Sequence, residues 1–325
     1  MILLPGADTH LQDLLTRAAQ RSKKAFRPRT QQAYSAIFLK FLTFLSSHDF
    51  PFAPPPLPSI LAFLEHLVSL GLSSPTIQNH VSALKSSYLR HSLPAPALHH
   101  PLVSRLLKAI DRSVPRVLTP KDIFTLPQFQ ALIQATGSHP LGIFLKPLFL
   151  LAFFGFLRIS NLLPQSSTNW DPHYTLLWQD VTWDPSIITI RLRWTKTRQS
   201  RSQTAAIQVP TLRDHPLSPV NALKDLFFAH RSTPTAPLFS RLVNGTLTSI
   251  TQVQARQALS ALCYSLGLPY KSLGFHAFRR SGVSYLFANQ VPIPNLKHHG
   301  TWESDAVHAY LANSATAGVI PQAFT

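Results

Sequence analysis

The stretch "LGIFLKPLFLLAFFGFL", residues 141–157, constrains this chain more than any other, because so apolar a run must leave water. Lys146 and Pro147 interrupt it, and it falls short of the roughly 20 apolar residues that a membrane span requires. It therefore predicts a helix buried in a protein core. A helix that is apolar on all sides needs neighbours on all sides, so a sizeable domain has to be assembled around it. With 325 residues, 45% of them hydrophobic, the chain has material for two domains, each with its own core.

Residues 1–112 read as an N-terminal all-α bundle. In "RTQQAYSAIFLKFLTFLSSH" (29–48), Tyr34, Ile37, Phe38, Phe41 and Phe44 or Leu45 share one stripe at helical spacing. "PFAPPPLPS" (51–59) breaks the chain, since prolines donate no backbone hydrogen bond, and Ser59 is placed to cap a helix to residue 71. A third helix covers 74–91, with Ser74 as N-cap and Pro75 at N1, and a fourth covers 102–112. The proline, serine and charge of "DRSVPRVLTPKD" mark a linker at 113–125. Residues 126–325 read as a mainly helical α+β domain. Helices are expected near 126–136 and 141–156, a small antiparallel sheet over "YTLLWQDVTWD", "SIITIRLRW" and "TAAIQVP", and helices again from about 218.

Lysine and arginine outnumber aspartate and glutamate by 30 to 13, for a net charge of +17. The excess is 12 to 5 in residues 1–112 and 18 to 8 beyond, so each domain is basic by itself. Such a chain suits a polyanion, and nucleic acid is the commonest large one. In the N-terminal helices Arg29, Lys40 and Lys85 are candidates for phosphate contact, Gln31 and Asn79 for reading base edges of duplex DNA, and His80 is a further candidate DNA contact. The lone cysteine, Cys263, forms no internal disulfide and fits a buried thiol in a reducing compartment. "MILLPGADTH" lacks the basic region of a secretion signal, and no membrane attachment is expected.

Metal-dependent nucleases gather carboxylates, yet the only glutamates are Glu65 and Glu303 and the aspartates are scattered. The His pairs at 99–100 and 298–299 come without spaced cysteines, so no metal site is expected. No phosphate-binding glycine loop or dinucleotide fingerprint occurs, and no cofactor is expected. What stands out is a series of polar groups. Arg158 follows the most apolar helix, with no acidic residue within twelve positions on either side. Lys196 lies at a strand end in "RLRWTKTRQS", and "HAFRRSGVSYLFANQVPIPNLKHHGTWESDAVHAY" (276–310) supplies His276, Arg279, Trp302 and Tyr310. On a helix, His276 and Arg279 project from one side and Phe278 and Tyr285 from the other, which predicts a presented pair over buried aromatics.

Arginine, hairpin lysine, H-x-x-R, tryptophan and tyrosine, in that order, resemble the catalytic series of the tyrosine recombinases, the phage-integrase family. "LRISNLLP" and "GTWESDAVHAYL" look most like the recombinases of eukaryotic mobile elements of the Crypton, Ngaro and DIRS types. The resemblance spans the chain. It implies a SAM-like core-binding domain before a catalytic domain, and a site of Arg158, Lys196, His276, Arg279, Trp302 and Tyr310, with Tyr310 as nucleophile. It also implies double-stranded DNA as partner, self-association from dimer to tetramer on DNA, chemistry without metal or ATP, and a nuclear address (cytoplasm or nucleoid in a prokaryote). His299 stands as an alternative to Trp302, and Arg280 to Arg279. The position three after the first arginine, often acidic in bacterial and phage members, is Asn161 here. Relaxation in the manner of a type IB topoisomerase, or DNA binding by a domesticated protein that no longer cuts, are the rival activities.

Overall fold

The computed structural model describes residues 13–14, 16–18, 21, 28–114, 122–184, 187–194, 205–212, 215–230, 233–302 and 304–311. The chain divides into two compact units, Met1–Leu118 and Thr119–Thr325.

The first unit contains α1 (Pro28–Ser47), α2 (Leu57–Ser69), α3 (Ser74–Arg90) and α4 (Pro101–Ser113). Phe38, Phe41, Phe44 and Leu45 of α1 meet Ile60, Phe63 and Leu64 of α2, Val81, Leu84 and Tyr88 of α3, and Val103 and Ile110 of α4 in one core. Tyr34 and Ile37 are half-buried at its edge. Two expected caps are displaced. α2 starts at Leu57, ahead of Ser59, whose hydroxyl donates to the Pro56 carbonyl. α3 is preceded by Ser73, and Ser74 donates instead to Asp111 of α4 at 2.8 Å. In both cases a proline in the first turn moves the helix start, since its missing N–H costs nothing there.

In the second unit Thr125 and Gln128 form a reciprocal capping box that opens α5 (Leu126–Ala135). The apolar run forms α6 (Gly142–Phe154), whose residues from Leu148 to Phe154 are all buried. No helix among the described residues is long and apolar enough to cross a membrane. After α6 come the short α7 (Ile159–Leu162) and a three-stranded antiparallel sheet in the order β1 (Val181–Trp183), β2 (Ile187–Leu192), β3 (Ala205–Pro210). Ile188, Ile190 and Leu192 of β2 and Ile207 and Val209 of β3 turn inward, as period-two patterning requires. β1 is shorter than expected because Trp178–Asp180 forms a 3-10 turn, closed where Asp180 accepts the Leu177 N–H at 3.0 Å.

Beyond α8 (Pro219–Ala229) the expectation of helices alone fails. β4 (Ser240–Val243) and β5 (Thr246–Ser249) form a hairpin across Asn244-Gly245, with φ of 50° and 77°. That dipeptide suits a two-residue hairpin turn, which needs positive φ at both central positions. α9 (Gln252–Ser265), α10 (His276–Ala288), α11 (Ile293–His299) and α12 (His308–Leu311) follow. Cys263 is fully buried on α9, and burial pushes its thiol up to about 11.

α10 lies against α6 through Phe278 on Phe149 (ring centroids 4.9 Å apart) and Tyr285 on Phe153 (5.4 Å). Gly282 makes the approach possible: a Cβ there would sit 2.2 Å from the Phe153 carbonyl oxygen and 2.8 Å from the Phe156 ring. Gly282→Ala would gain about 1 kcal/mol of helix propensity. The clash with an immobile backbone oxygen outweighs it, and overpacking of this kind costs about 1–3 kcal/mol. The expected result is a lower Tm for Gly282→Ala by thermal unfolding.

Candidate active site

α6 ends at Gly155, and Phe156 then takes the left-handed conformation, φ 50°, which is costly for a side chain of its size. The turn buries the Phe156 ring, directs its carbonyl towards α10, and brings Arg158 to the N-terminus of α7. α10 opens with His276, whose side chain is exposed. Three residues on, Arg279 is only 2% exposed, donating Nη1 to the Phe156 carbonyl and Nη2 to the Gly300 carbonyl at 2.8 Å. Its Nε has no hydrogen-bond partner, and no carboxylate pairs with it among the described residues.

Trp302 lies over that guanidinium, with Cζ 3.8 Å from the indole centroid. Gly300 permits this, because a Cβ would fall 1.7 Å from the indole. The Tyr310 ring comes next, 5.2 Å from the indole centroid and 5.8 Å from the Arg279 Cζ. The Tyr310 hydroxyl lies 2.9 Å from His276 Nε2. Fully buried Ser284 donates to the Tyr310 carbonyl at 2.9 Å, so the helix that carries His276 and Arg279 also holds the tyrosine's backbone.

Burial lowers the Arg279 pKa to about 9, the nearby Arg158 charge pushes the same way, and the Tyr310 hydroxyl opposes both. The guanidinium stays charged at neutral pH, so the fold carries a buried cation there. Because the folded-state value is depressed, this cost is full below about 9 and is relieved only as pH rises towards the guanidinium's ordinary value. At neutral pH relief has to come from an anion. Inorganic phosphate is therefore expected to raise the Tm of the wild type more than that of Arg279→Ala, measured by thermal unfolding at constant ionic strength.

Neither a protein-family model nor a curated protein matches the sequence. Solved structures do match. A lambda integrase dimer bound to a COC′ core site aligns over 96% of this chain and 80% of its own, with 17% identity and a TM-score of 0.59. The Tn1549 transposon integrase in complex with circular intermediate DNA covers 91% of this chain and 94% of its own, at 16% identity and a TM-score of 0.57. The XerH site-specific recombinase in its post-cleavage complex with palindromic difH covers 78% and 68%, at 15% identity and 0.53. The chain has the tyrosine-recombinase fold.

Within that recombinase fold His276 reaches Tyr310, Tyr310 packs against Trp302, and Trp302 covers Arg279, while half-buried Arg158 lies near enough for its charge to act on Arg279. Lys196 lies outside the described residues. Arg279 is not presented beside His276 as helix geometry alone suggested. The packing of α10 on the end of α6 encloses it.

The two alternatives have other partners. Arg280 donates Nε and Nη2 to the Asp122 carbonyl at 3.1 and 2.7 Å, and Nη2 to the Ser272 carbonyl at 2.9 Å. His299 donates Nε2–H to the Phe154 carbonyl at 2.7 Å, and burial lowers its pKa. Sequence reasoning missed Ser284 and the Phe156 turn. A serine on the helical row of Arg280 and a glycine closing the apolar helix were their only signals.

The N-terminal candidates do not form one patch. Lys40 and Asn79 are exposed, Gln31 and Lys85 half-buried, and the Arg29 side chain lies outside the described residues. Gln31 and Lys40 are nine residues apart on α1, which at about 100° per residue puts them on opposite sides. His80 is corrected outright. It is 6% exposed, donates Nδ1–H to the Thr76 carbonyl at 2.8 Å and faces Phe63, because it shares the buried stripe of Ile77, Val81 and Leu84.

Proposed function

We propose that this protein is a site-specific DNA recombinase that cuts and rejoins strands through a 3′-phosphotyrosyl intermediate. The observation that carries the proposal is the Tyr310 hydroxyl 2.9 Å from His276 Nε2, beside a buried, carboxylate-free guanidinium. A phosphodiester gains negative charge in its five-coordinate transition state, and fixed cations stabilise it there. Arg158 and Arg279 supply that charge, with the indole N–H of Trp302 as a further donor. The Tyr310 oxygen attacks phosphorus while its proton passes to unprotonated Nε2 of His276. The P–O5′ bond breaks, and Lys196 gives the leaving oxygen its proton. A 5′-hydroxyl then attacks the phosphotyrosine and releases Tyr310. One phosphoester replaces another at each step, so the reaction needs no ATP, and the cations take the charge-stabilising part that a metal plays in other nucleases.

The net charge of +17 supports duplex DNA as the partner. The first unit would act as the SAM-like core-binding domain, with Lys40 and Asn79 as its exposed contacts. Lambda integrase has been solved as a dimer on a core site and as a tetramer on a Holliday junction, which supports dimers and tetramers on DNA here. Integration and excision of a eukaryotic mobile element, in the nucleus, is the biological setting we propose from the motifs around Arg158 and Tyr310.

The test is a nicked duplex in which the strand beyond the cut diffuses away and traps the intermediate. Duplexes with a randomised core are incubated with the protein, and covalently held DNA is recovered after denaturation and sequenced. The expected result is DNA joined through its 3′ phosphate to the Tyr310 peptide. A different linked residue, or loss of the adduct on chelation, would overturn the mechanism.

A further inference from the structure

Asn161 stands where the resemblance leads one to expect a carboxylate, and the structure gives its amide two neighbours of opposite kind. Its Oδ1 accepts the backbone N–H of Arg158 at 3.2 Å, and its Nδ2 donates to the Trp194 carbonyl at 3.3 Å. The orientation follows from the chemistry: an N–H needs an acceptor, a carbonyl needs a donor, and turning the amide over would spoil both contacts. Asn161 is 7% exposed, so its own Oδ1 or Nδ2, on losing its partner, has little water to replace it. A carboxylate would serve Arg158 equally well. Against Trp194 it would set oxygen against oxygen.

The two ends of this bridge matter. Arg158 N belongs to the first arginine of the series, at the start of α7, whose charge acts on Arg279. Trp194 lies just past the end of β2, two positions before Lys196 in sequence. Resting on the recombinase reading above, we propose that Asn161 is a positioning residue for strand cleavage, whose amide ties the backbone that places Arg158 to the end of strand β2. The missing carboxylate is then a change of device within a working site.

Asn161→Ala removes both bonds, and Asn161→Asp keeps the acceptor and loses the donor. Each is expected to slow adduct formation on the nicked duplex by about tenfold to a hundredfold, the usual cost of a misplaced supporting group. DNA affinity should hold. The aspartate variant also carries a signature that a purely structural role lacks. Once protonated, its O–H donates to Trp194 and its carbonyl accepts from Arg158, so its rate relative to wild type should recover as pH falls. Around this position stand His173, Asp180, Arg191 and Arg193, which border the same small cavity, and Arg158. They are common to wild type and Asn161→Ala, whose rate ratio supplies the background.

Equal or faster cleavage by Asn161→Asp at alkaline pH would overturn the proposal. So would a pH profile parallel to that of Asn161→Ala. Hydrogen exchange reads the bridge without DNA. The Arg158 amide should exchange faster in Asn161→Ala, and unchanged exchange refutes the bridge. If the wild type forms no adduct on any duplex, the recombinase reading falls, while the exchange result still decides the bridge.

Discussion

Tyr310→Phe is expected to bind DNA like the wild type and to form no covalent adduct, a loss of at least about 10³-fold in cleavage rate. The substitution removes one oxygen and little else. The ring keeps its place against Trp302, and Ser284 still holds the backbone carbonyl, so the fold should be unaffected and Tm nearly unchanged. What disappears is the atom 2.9 Å from His276 Nε2. Paired measurements of binding by gel shift and of adduct by denaturing electrophoresis separate chemistry from recognition. An adduct that survives would move the nucleophile to another residue.

The second large effect belongs to Arg279. Arg279→Ala should lower the cleavage rate by about 10²–10³-fold, the usual cost of removing one fixed donor from a charged transition state. Stability should move less than the number of lost bonds suggests. Two buried carbonyls, Phe156 and Gly300, lose their donor, at about 1–3 kcal/mol each. The cost of a buried cation without an anion disappears at the same time and offsets part of that. Arg279→Lys is the sharper experiment. It keeps the charge, but a single ammonium cannot reproduce a planar fork spanning both carbonyls beneath the Trp302 indole. Its cleavage rate should stay close to that of the alanine variant while DNA affinity remains near wild type. Full activity in the lysine variant would show that charge alone suffices and that the fork has no part in the site.

Much of this arrangement is legible in the amino-acid sequence. Phe38, Phe41, Phe44 and Leu45 fall on one helical stripe, and 141–157 is too apolar to lie anywhere but in a core. The departures are largely local competitions between signals. Asn244-Gly245 announces a hairpin, yet the surrounding helical pattern hides strands of only four residues each. Ser59 and Ser74 resemble caps, but the nearby prolines displace the helix starts. His80 reads as a surface contact when taken alone, although the spacing of Ile77, Val81 and Leu84 places it on the buried side.

The sequence by itself singled out the groups proposed for the chemistry and their order: Arg158, Lys196, His276, Arg279, Trp302 and Tyr310 on a strongly basic, largely helical chain. Helical periodicity depends on near neighbours, so it can be read from a string of letters. Only the tertiary structure decided that Arg279 is enclosed, that Trp302 rather than His299 covers it, and that Asn161 spans two elements. These outcomes hang on the carbonyls of Phe156, Gly300, Phe154 and Trp194. A backbone carbonyl is the same in every residue, so no sequence can mark one as an acceptor. Close packing of Gly282 against the end of α6 and of Gly300 against the Trp302 indole makes the selection.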